Sequence, residues 1–195
     1  MKFVVVGILA VVFVLIGLQL QASVPVPEEM LVLPVRVHMV IEQSGFYATE
    51  RDGDSVLRLM AQANRIWEPA GIQFYVVGVE DAPVTADAIP RALNGNYEQL
   101  TALNSYTYRE LHLFLVQSLN GINGLAILQE NAILVADYTT VNDYRTTAHE
   151  FGHLLGLRHV EPVTSLMARG KNGELLSANE IALARDVATR FLTAT

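Results

Sequence analysis

Three of the five histidines of the chain fall within one short segment, which reads HEFGHLLGLRH over residues 149–159. His149 and His153 are four residues apart, so on a helix they lie about 40° apart around the axis and roughly 6 Å apart along it. Both imidazoles can then reach one ion at about 2.1 Å, the usual zinc–nitrogen distance. Glu150 is badly placed as a further ligand but well placed to hydrogen-bond a water beside the ion. The spacing therefore predicts a metal centre with a carboxylate base next to it.

The third histidine requires the helix to end before it. A straight helix continued from His153 would carry His159 roughly 9 Å further along the axis, out of reach of the same ion. Gly156 lies between the two, and glycine adopts positive φ at little cost. We therefore expect a helix break at Gly156 that returns His159 to the ion. Three neutral histidines leave a fourth zinc position open to water, which is typical of a catalytic site.

A surface helix that carries three histidines by chance is the alternative to a metal site. A chance match to the full pattern is expected on the order of once in 100,000 chains of this size. The two other histidines, His38 and His112, fall in predicted strands, where we interpret them as structural or half-exposed. Trp67 lies on an amphipathic helix and is predicted to be a core residue.

Composition excludes several classes of protein. The chain has 195 residues, enough for one domain and a short leader, and 51% of them are hydrophobic. Its net charge of −7 and lack of a basic stripe argue against nucleic-acid binding. Cysteine is absent, which excludes disulfides, thiolate metal sites and cysteine nucleophiles. Any metal site must therefore use histidine and carboxylate ligands.

The N-terminus has the pattern of an export signal. Met1 and Lys2 precede an apolar run over residues 3–18, and Ala22 ends a plausible cleavage site. This order predicts a signal peptide over residues 1–22. An uncleaved membrane anchor over residues 3–18 is the alternative, although the run is slightly short of the roughly 20 residues that a span needs. We expect a short linker over 23–30 and a folded domain over 31–195 that is secreted or periplasmic, or membrane-anchored.

Periodicity predicts an alternation of strands and helices. Strands are expected over 31–41, 72–79, 110–117, 125–128 and 132–136, and a loop with some helix over 80–107. Helices are expected over 54–67, from the capping signal at 140–143 to about Leu155, and over 177–192. The predicted inner faces are Val56, Leu57, Met60, Ala63, Ile66 and Trp67 in the first helix, and Ile181, Leu183, Ala184, Val187 and Phe191 in the last.

The long histidine motif, followed by a methionine, resembles the signature of the metzincin zinc metallopeptidases, and its matrixin branch in particular. Thr164-Ser165-Leu166-Met167 is similar to their methionine-containing turn, the Met-turn, and the segment from Asn123 to Ala126 is similar to the edge strand above their zinc. The resemblance implies an α+β fold: a twisted, mostly parallel five-stranded sheet, an active-site helix, a Met-turn and a C-terminal helix. It also implies that Met167 packs beneath the metal ligands without binding metal.

The same resemblance implies an endopeptidase domain over residues 31–195. One catalytic zinc ion would be held by His149, His153 and His159, with Glu150 as the base. An extended peptide or protein substrate would pair with the backbone of Gly124, Leu125 and Ala126, beside a specificity wall over residues 162–170.

The chain departs from matrixins in ways that limit the resemblance. It lacks the cysteine of their latency switch, and residues 23–30 are too few for their prodomain. No counterpart of their acid- and histidine-rich loop lies between Leu119 and Tyr138, so we expect one zinc ion and leave calcium open. Asp137 and Asp143 flank the predicted active-site helix, where they could bind calcium or support the ligands, or simply mark a solvated loop and the start of the helix.

Two other functions stay open at this stage. One is a zinc- or peptide-binding domain without turnover, and the other is a membrane-tethered interaction protein. For partners we expect a peptide or protein substrate, no nucleic acid, a membrane only if residues 1–22 are uncleaved, and a monomeric state.

Overall fold

The computed structural model describes residues 29–194, in which five strands form one sheet in the order β2-β1-β3-β5-β4. The strands are β1 (Leu31–Ile41), β2 (Ile72–Pro83), β3 (Leu111–Val116), β4 (Gly124–Ile127) and β5 (Ala132–Ala136). β1 pairs in parallel with β2 and β3, β3 pairs in parallel with β5, and only β4 is antiparallel. The predicted α+β fold with a mostly parallel five-stranded sheet is confirmed. The predicted signal peptide or anchor and most of the linker lie outside the described residues.

Among the described residues, five α-helices accompany the sheet: α1 (Gly53–Trp67), α2 (Ala88–Leu93), α3 (Glu98–Thr101), α4 (Asp143–Leu154) and α5 (Ala178–Thr193). Capping boxes at Asp52 and Ser177 fix the starts of α1 and α5, because side chain and backbone satisfy each other's free groups there. The two short helices α2 and α3 lie in the stretch expected to mix loop and helix. Within residues 29–194, no helix has the length and apolarity needed to cross a membrane.

The core consists of two layers, one on each face of the sheet. Helices α1, α4 and α5 pack on the first face, and α2 and α3 on the second. Neighbouring residues of a strand point to opposite faces. The fully buried β3 shows this, since Leu113 and Leu115 belong to the first layer and Phe114 and Val116 to the second. Buried parallel strands of this kind read as continuous apolar runs.

Helix α4 is fixed to its neighbours along its length. The indole nitrogen Nε1 of Trp67 donates to the carbonyl of Ala148 at 3.2 Å, and the ring of Phe151 stacks on Phe74 with centroids 4.1 Å apart. At the start of the helix, the guanidinium of Arg51 lies 2.9 Å from the carboxylates of both Asp137 and Asp143. Trp67 is a core residue as predicted, and it also ties α1 to α4.

Two predicted inward residues point outward. Leu57 is 59% exposed and Leu183 is 44% exposed, so their prediction as core residues is wrong. Each lies one residue beside the true buried stripe, and one residue turns a helix by about 100°. In α1, Leu59 is buried and Leu57 is not. In α5 the buried residues are Ile181, Ala184 and Ala188, and Val187 and Phe191 are partly buried against the same layer.

Candidate metal centre

The structure brings His149, His153 and His159 together at one point. The Nε2 atoms of His149 and His153 each lie 3.1 Å from Nε2 of His159. Nitrogen ligands at about 2.1 Å from a tetrahedral ion are about 3.4 Å apart, which is close to this spacing. No other trio of metal-ligating side chains converges in this way among residues 29–194. Three imidazole nitrogens suit zinc, so these residues fit that ion.

The third histidine reaches this point because the helix ends abruptly. Gly156 has a left-handed φ of 82°, its amide donates to the carbonyl of His153 at 3.0 Å, and the amide of Leu157 donates to that of Gly152 at 2.9 Å. This is the hydrogen-bond pattern of a Schellman ending, which favours glycine. The break expected at Gly156 is therefore observed, and His159 lies beyond it.

Backbone carbonyls orient two of the three imidazoles. Nδ1 of His149 lies 2.7 Å from the carbonyl oxygen of Leu166, and Nδ1 of His153 lies 2.9 Å from that of Leu157. A carbonyl only accepts hydrogen bonds, so the proton is on Nδ1 and the lone pair of Nε2 is free for a metal. Burial also lowers the pKa of His149 to about 4 and holds that of His153 below its usual value. Neutral imidazole is the form that binds metal.

His159 has a different outer contact. Its Nδ1 lies 2.9 Å from Nε of Arg169, which can only donate. Metal binding through Nε2 would place a proton on Nδ1, so two donors would then face each other. The Arg169 contact therefore competes with metal binding at this one ligand.

Glu150 lies beneath the backbone of β4. Its side chain is buried, and a Cβ atom at Gly124 would lie 2.8 Å from its Cγ and 2.9 Å from its Oε1. Only glycine leaves room for the carboxyl group there. Burial raises the pKa of Glu150 to about 7, while the charge of Arg145 and the amide of Ala126 act in the opposite direction. A carboxyl group with such a pKa can exchange a proton near neutral pH.

Strand β4 is an edge strand with a free side. The amide of Ala136 donates to the carbonyl of Asn123 at 3.0 Å, which makes this pair a hydrogen-bonded one. Hydrogen-bonded pairs alternate along an antiparallel ladder, so Leu125 directs its backbone groups to Leu134 of β5. Gly124 and Ala126 then direct theirs away from β5, where the amide of Ala126 contacts the Glu150 carboxyl group. Of the three residues predicted to bind substrate, Gly124 has both backbone groups free to do so, and Ala126 has its carbonyl.

Met167 lies in a tight turn beneath α4. It is fully buried, and the amide of Ala168 closes the turn by donating to the carbonyl of Ser165 at 3.2 Å. A Cβ atom at Gly152 would lie 2.7 Å from the Met167 sulfur, so Gly152 makes the space that the methionine fills. Sequence reasoning missed this role of Gly152. Its signal was a glycine within a helix, where it costs about 1 kcal/mol relative to alanine.

Comparison with known proteins agrees with this geometry. The family model of the matrixins matches residues 55–187. The chain belongs to the matrixin family. Matrixins are zinc metallopeptidases, and the three-histidine site suits that metal. Comparison with curated protein sequences gives no significant match.

Solved structures of metzincin peptidases share the fold of this matrixin. Mature mirolysin from Tannerella forsythia, in complex with a cleaved peptide, is similar with a TM-score of 0.66 and 14% identity, over 85% of this chain and 96% of that one. Archaemetzincin from Methanopyrus kandleri is similar with a TM-score of 0.57 and 16% identity, over 85% of this chain and 99% of that one. At these identities the likeness shows the fold alone.

Arg145 of this matrixin is a second residue that sequence reasoning missed. It lies in α4, four residues before His149, and is only 3% exposed. Its guanidinium donates to the carbonyls of Leu166, Ala168 and Gly173. The available signal was a charged residue one helical turn before the first ligand, on the face that α4 buries.

The remaining histidines lie away from the metal centre. His38 and His112 are both fully buried in the second layer, so the half-exposed interpretation is wrong and the structural one holds. Nε2 of His38 lies 2.8 Å from Nδ1 of His112, and Nε2 of His112 lies 2.8 Å from the carbonyl oxygen of Thr107. These contacts form a chain of hydrogen bonds from β1 through β3 to the segment that precedes β3.

Asp137 and Asp143 have structural contacts. Asp137 accepts hydrogen bonds from the Thr49 hydroxyl (2.8 Å), the Glu50 amide (2.7 Å) and the Arg51 guanidinium (2.9 Å), so it is not part of a solvated loop. Asp143 is the first residue of α4, where a negative charge is favourable next to the helix dipole.

Proposed function

We propose that this matrixin is a zinc-dependent endopeptidase that hydrolyses peptide bonds of extended polypeptides, with Glu150 as the general base. The position of the Glu150 carboxyl group carries the proposal. Glu150 follows the ligand His149 directly in α4, and its carboxyl group reaches the backbone of β4 at Gly124 and Ala126. A base in this position has the metal centre on one side and the free strand edge on the other.

The chain's own groups have distinct tasks in this reaction. When bound, zinc supplies a Lewis acid that polarises the scissile carbonyl and makes a water acidic enough to attack it at neutral pH. Glu150 accepts a proton from the attacking water and passes it to the departing amine. The backbone groups of Gly124 and the carbonyl of Ala126 hold the substrate as an added strand, which gives affinity without much sequence preference. Preference then comes from the segment 162–170, the proposed wall beside the metal.

Replacing the base while keeping the ligands tests this proposal. Glu150→Ala should lower the rate of peptide-library digestion by about 10²–10⁴-fold, because proton transfer is lost. Its zinc content should stay equal to that of the unaltered protein. Glu98→Ala, in the distant helix α3, is the matched carboxylate control and should digest normally. The unaltered protein should also stop digesting when a chelator is added.

Three results would count against the proposal. They are a zinc-free purified protein, digestion indifferent to chelation, and a Glu150→Ala variant with full turnover. Stoichiometric zinc with no digestion of any library peptide would instead support a binding domain without turnover.

We also propose that the folded domain is exported, on the basis of the N-terminal pattern alone. Sequencing the N-terminus of the protein recovered outside the cytoplasm checks this. A start near Ser23 supports a cleaved signal peptide, and an intact N-terminus in the membrane fraction supports an anchor. Recovery of the whole chain from the cytoplasm would contradict export.

A further inference from the structure

The side chain of Arg145 connects α4 to the turn beneath the metal centre. Nη2 donates to the carbonyls of Leu166 and Ala168, on either side of Met167, and Nε donates to the carbonyl of Gly173 at 3.2 Å. One planar group thus holds both the Met-turn and the segment that returns beside it. Arginine suits such a position because its donors point in fixed directions within one plane.

The carbonyl of Leu166 is shared between Arg145 and a metal ligand. A carbonyl oxygen has two lone pairs. One accepts from Arg145, and the other accepts from Nδ1 of His149 at 2.7 Å. The direction of this carbonyl fixes both the ring orientation of His149 and the nitrogen that carries its proton. Arg145 therefore acts on His149 through one shared atom.

Charge pairing does not explain the burial of Arg145. Across residues 29–194, no carboxylate oxygen lies within 4.0 Å of its guanidinium. Glu150 and Glu174 act on it only from a distance. A buried charge without an ionic partner is costly, so a neutral side chain would join α4 to the turn at a lower cost. What the guanidinium adds is simultaneous control of several carbonyls.

The turn has a second support that is independent of Arg145. The amide of Leu166 donates to the carbonyl of Leu175 at 2.8 Å, and the amide of Leu175 donates to that of Thr164 at 3.0 Å. Gly173 packs so closely here that a Cβ atom would lie 2.5 Å from the carbonyl oxygen of Ser165. Loss of Arg145 should therefore release the Leu166 carbonyl locally while the turn stays in place.

We propose that Arg145 is a positioning residue of the metal centre, which sets the zinc affinity by holding the Leu166 carbonyl that orients His149. This inference rests on the zinc site of the proposed function. It concerns metal affinity and needs no peptide turnover to be tested.

The test compares zinc dissociation constants of three variants, measured by competition with a chelator of known affinity. Arg145→Met should raise the constant by about 10–100-fold, as expected when the partner of a metal-bound histidine is removed. Arg145→Lys keeps the charge but cannot span three carbonyls, so its zinc dissociation constant should lie between those of Arg145→Met and the unaltered protein. The absorption spectrum of the Co²⁺-substituted protein should change in both variants, because the geometry of one ligand changes.

Arg185→Met is the matched control. Arg185 also donates to three backbone carbonyls, those of Ala70 (2.9 Å), Gly71 (3.2 Å) and Glu29 (3.1 Å), but it lies in α5 with no contact to a metal ligand. Its loss should lower stability and leave the zinc constant and the Co²⁺ spectrum unchanged.

An Arg145→Met zinc constant within twofold of the unaltered value would overturn the inference. If that variant does not fold, Arg145→Lys decides, and an unaltered constant and spectrum there would overturn the inference equally. A protein that binds zinc normally but cleaves no peptide would overturn the proposed function and leave this inference standing.

Discussion

Two groups of histidines lie on opposite faces of the same sheet. In both groups the imidazoles lie close together, but their arrangements suit different functions. At the metal centre, the Nε2 atoms of His149 and His153 each lie 3.1 Å from Nε2 of His159, and two of the outer Nδ1 atoms point to carbonyls. In the pair of the second layer, Nε2 of His38 faces Nδ1 of His112 at 2.8 Å. The first arrangement directs lone pairs to a common point, whereas the second pairs a donor with an acceptor.

Burial and acidity do not separate the two groups. Burial lowers the pKa of His149 to about 4 and that of His38 to about 3. Short nitrogen–nitrogen distances do not separate them either. The outer partner does not separate them, since Nε2 of His112 donates to the carbonyl of Thr107 just as Nδ1 of His149 donates to that of Leu166. What differs is the group that the freed ring nitrogen faces, which is the N–H of His38 in the second layer and other ring nitrogens at the metal centre. Assigning the proton positions is therefore the step that distinguishes a ligand set from a hydrogen-bond chain.

The largest expected effect tests this distinction directly. His153→Ala should lose zinc and lower turnover by about 10³-fold or more, since the metal supplies several kcal/mol of transition-state stabilisation. His112→Gln, which removes a more deeply buried imidazole from the second layer, should keep stoichiometric zinc. Metal analysis and the peptide-library digest check both variants. Zinc loss in His112→Gln would mean that the two layers are not independent.

The pH dependence of stability offers the second test. His38 faces His112, Glu80 and Arg36, and its pKa is about 3 in the fold against an ordinary value of 6.5. Between these values the unfolded chain binds the proton and the folded one does not, so stability is lost as the pH falls below about 6.5. For this one group the loss should be about 3 kcal/mol between pH 7 and pH 4.

Urea unfolding of metal-free protein at both pH values measures this loss. The His38→Gln variant should lose correspondingly less stability on acidification than the unaltered protein. The metal-binding histidines titrate in both proteins, so their contribution cancels in the difference. Equal losses in the two proteins would show that His38 is not held neutral by the fold.

The smallest expected effect concerns the one ligand that breaks the pattern. Arg169→Ala should tighten zinc binding, because it removes an exposed cation and a competing donor from Nδ1 of His159. The effect should be about threefold, since exposed charges contribute less than about 1 kcal/mol. Lys171→Ala removes a nearby cation that makes no hydrogen bond to a metal ligand and should change the zinc constant less. Chelator competition measures both. Weaker zinc binding in Arg169→Ala would mean that the arginine supports His159.

The sequence was most informative where the physics is local. The spacing of His149, His153 and His159 with Gly156 sufficed to predict a helix, its end and the convergence of three rings, because each step depends on neighbours along the chain. The strands and long helices followed from periodicity in the same way. The errors at Leu57 and Leu183 arose because both leucines lie just beside the buried stripe, and hydrophobicity alone does not set the edge of a stripe.

Contacts between distant segments could not be predicted. Arg145 meets Leu166 and Ala168 only after the Met-turn has folded beneath α4, and no pattern within α4 shows which carbonyls will be there. The pairing of His38 with His112 likewise depends on β1 and β3 being neighbours in parallel register. The space above Glu150 at Gly124 depends on where α4 meets the edge strand. Such features require the topology to be known first.

The position of His159 just beyond the end of α4 has a consequence for how the metal and the fold depend on each other. The ion would bridge residues only ten positions apart, from His149 to His159. Closing so short a loop restrains little chain entropy, and neither core layer includes one of the three histidines. After chelation the protein should therefore keep its fold and bind metal again without refolding. The supply of metal alone would then control its proposed peptidase activity.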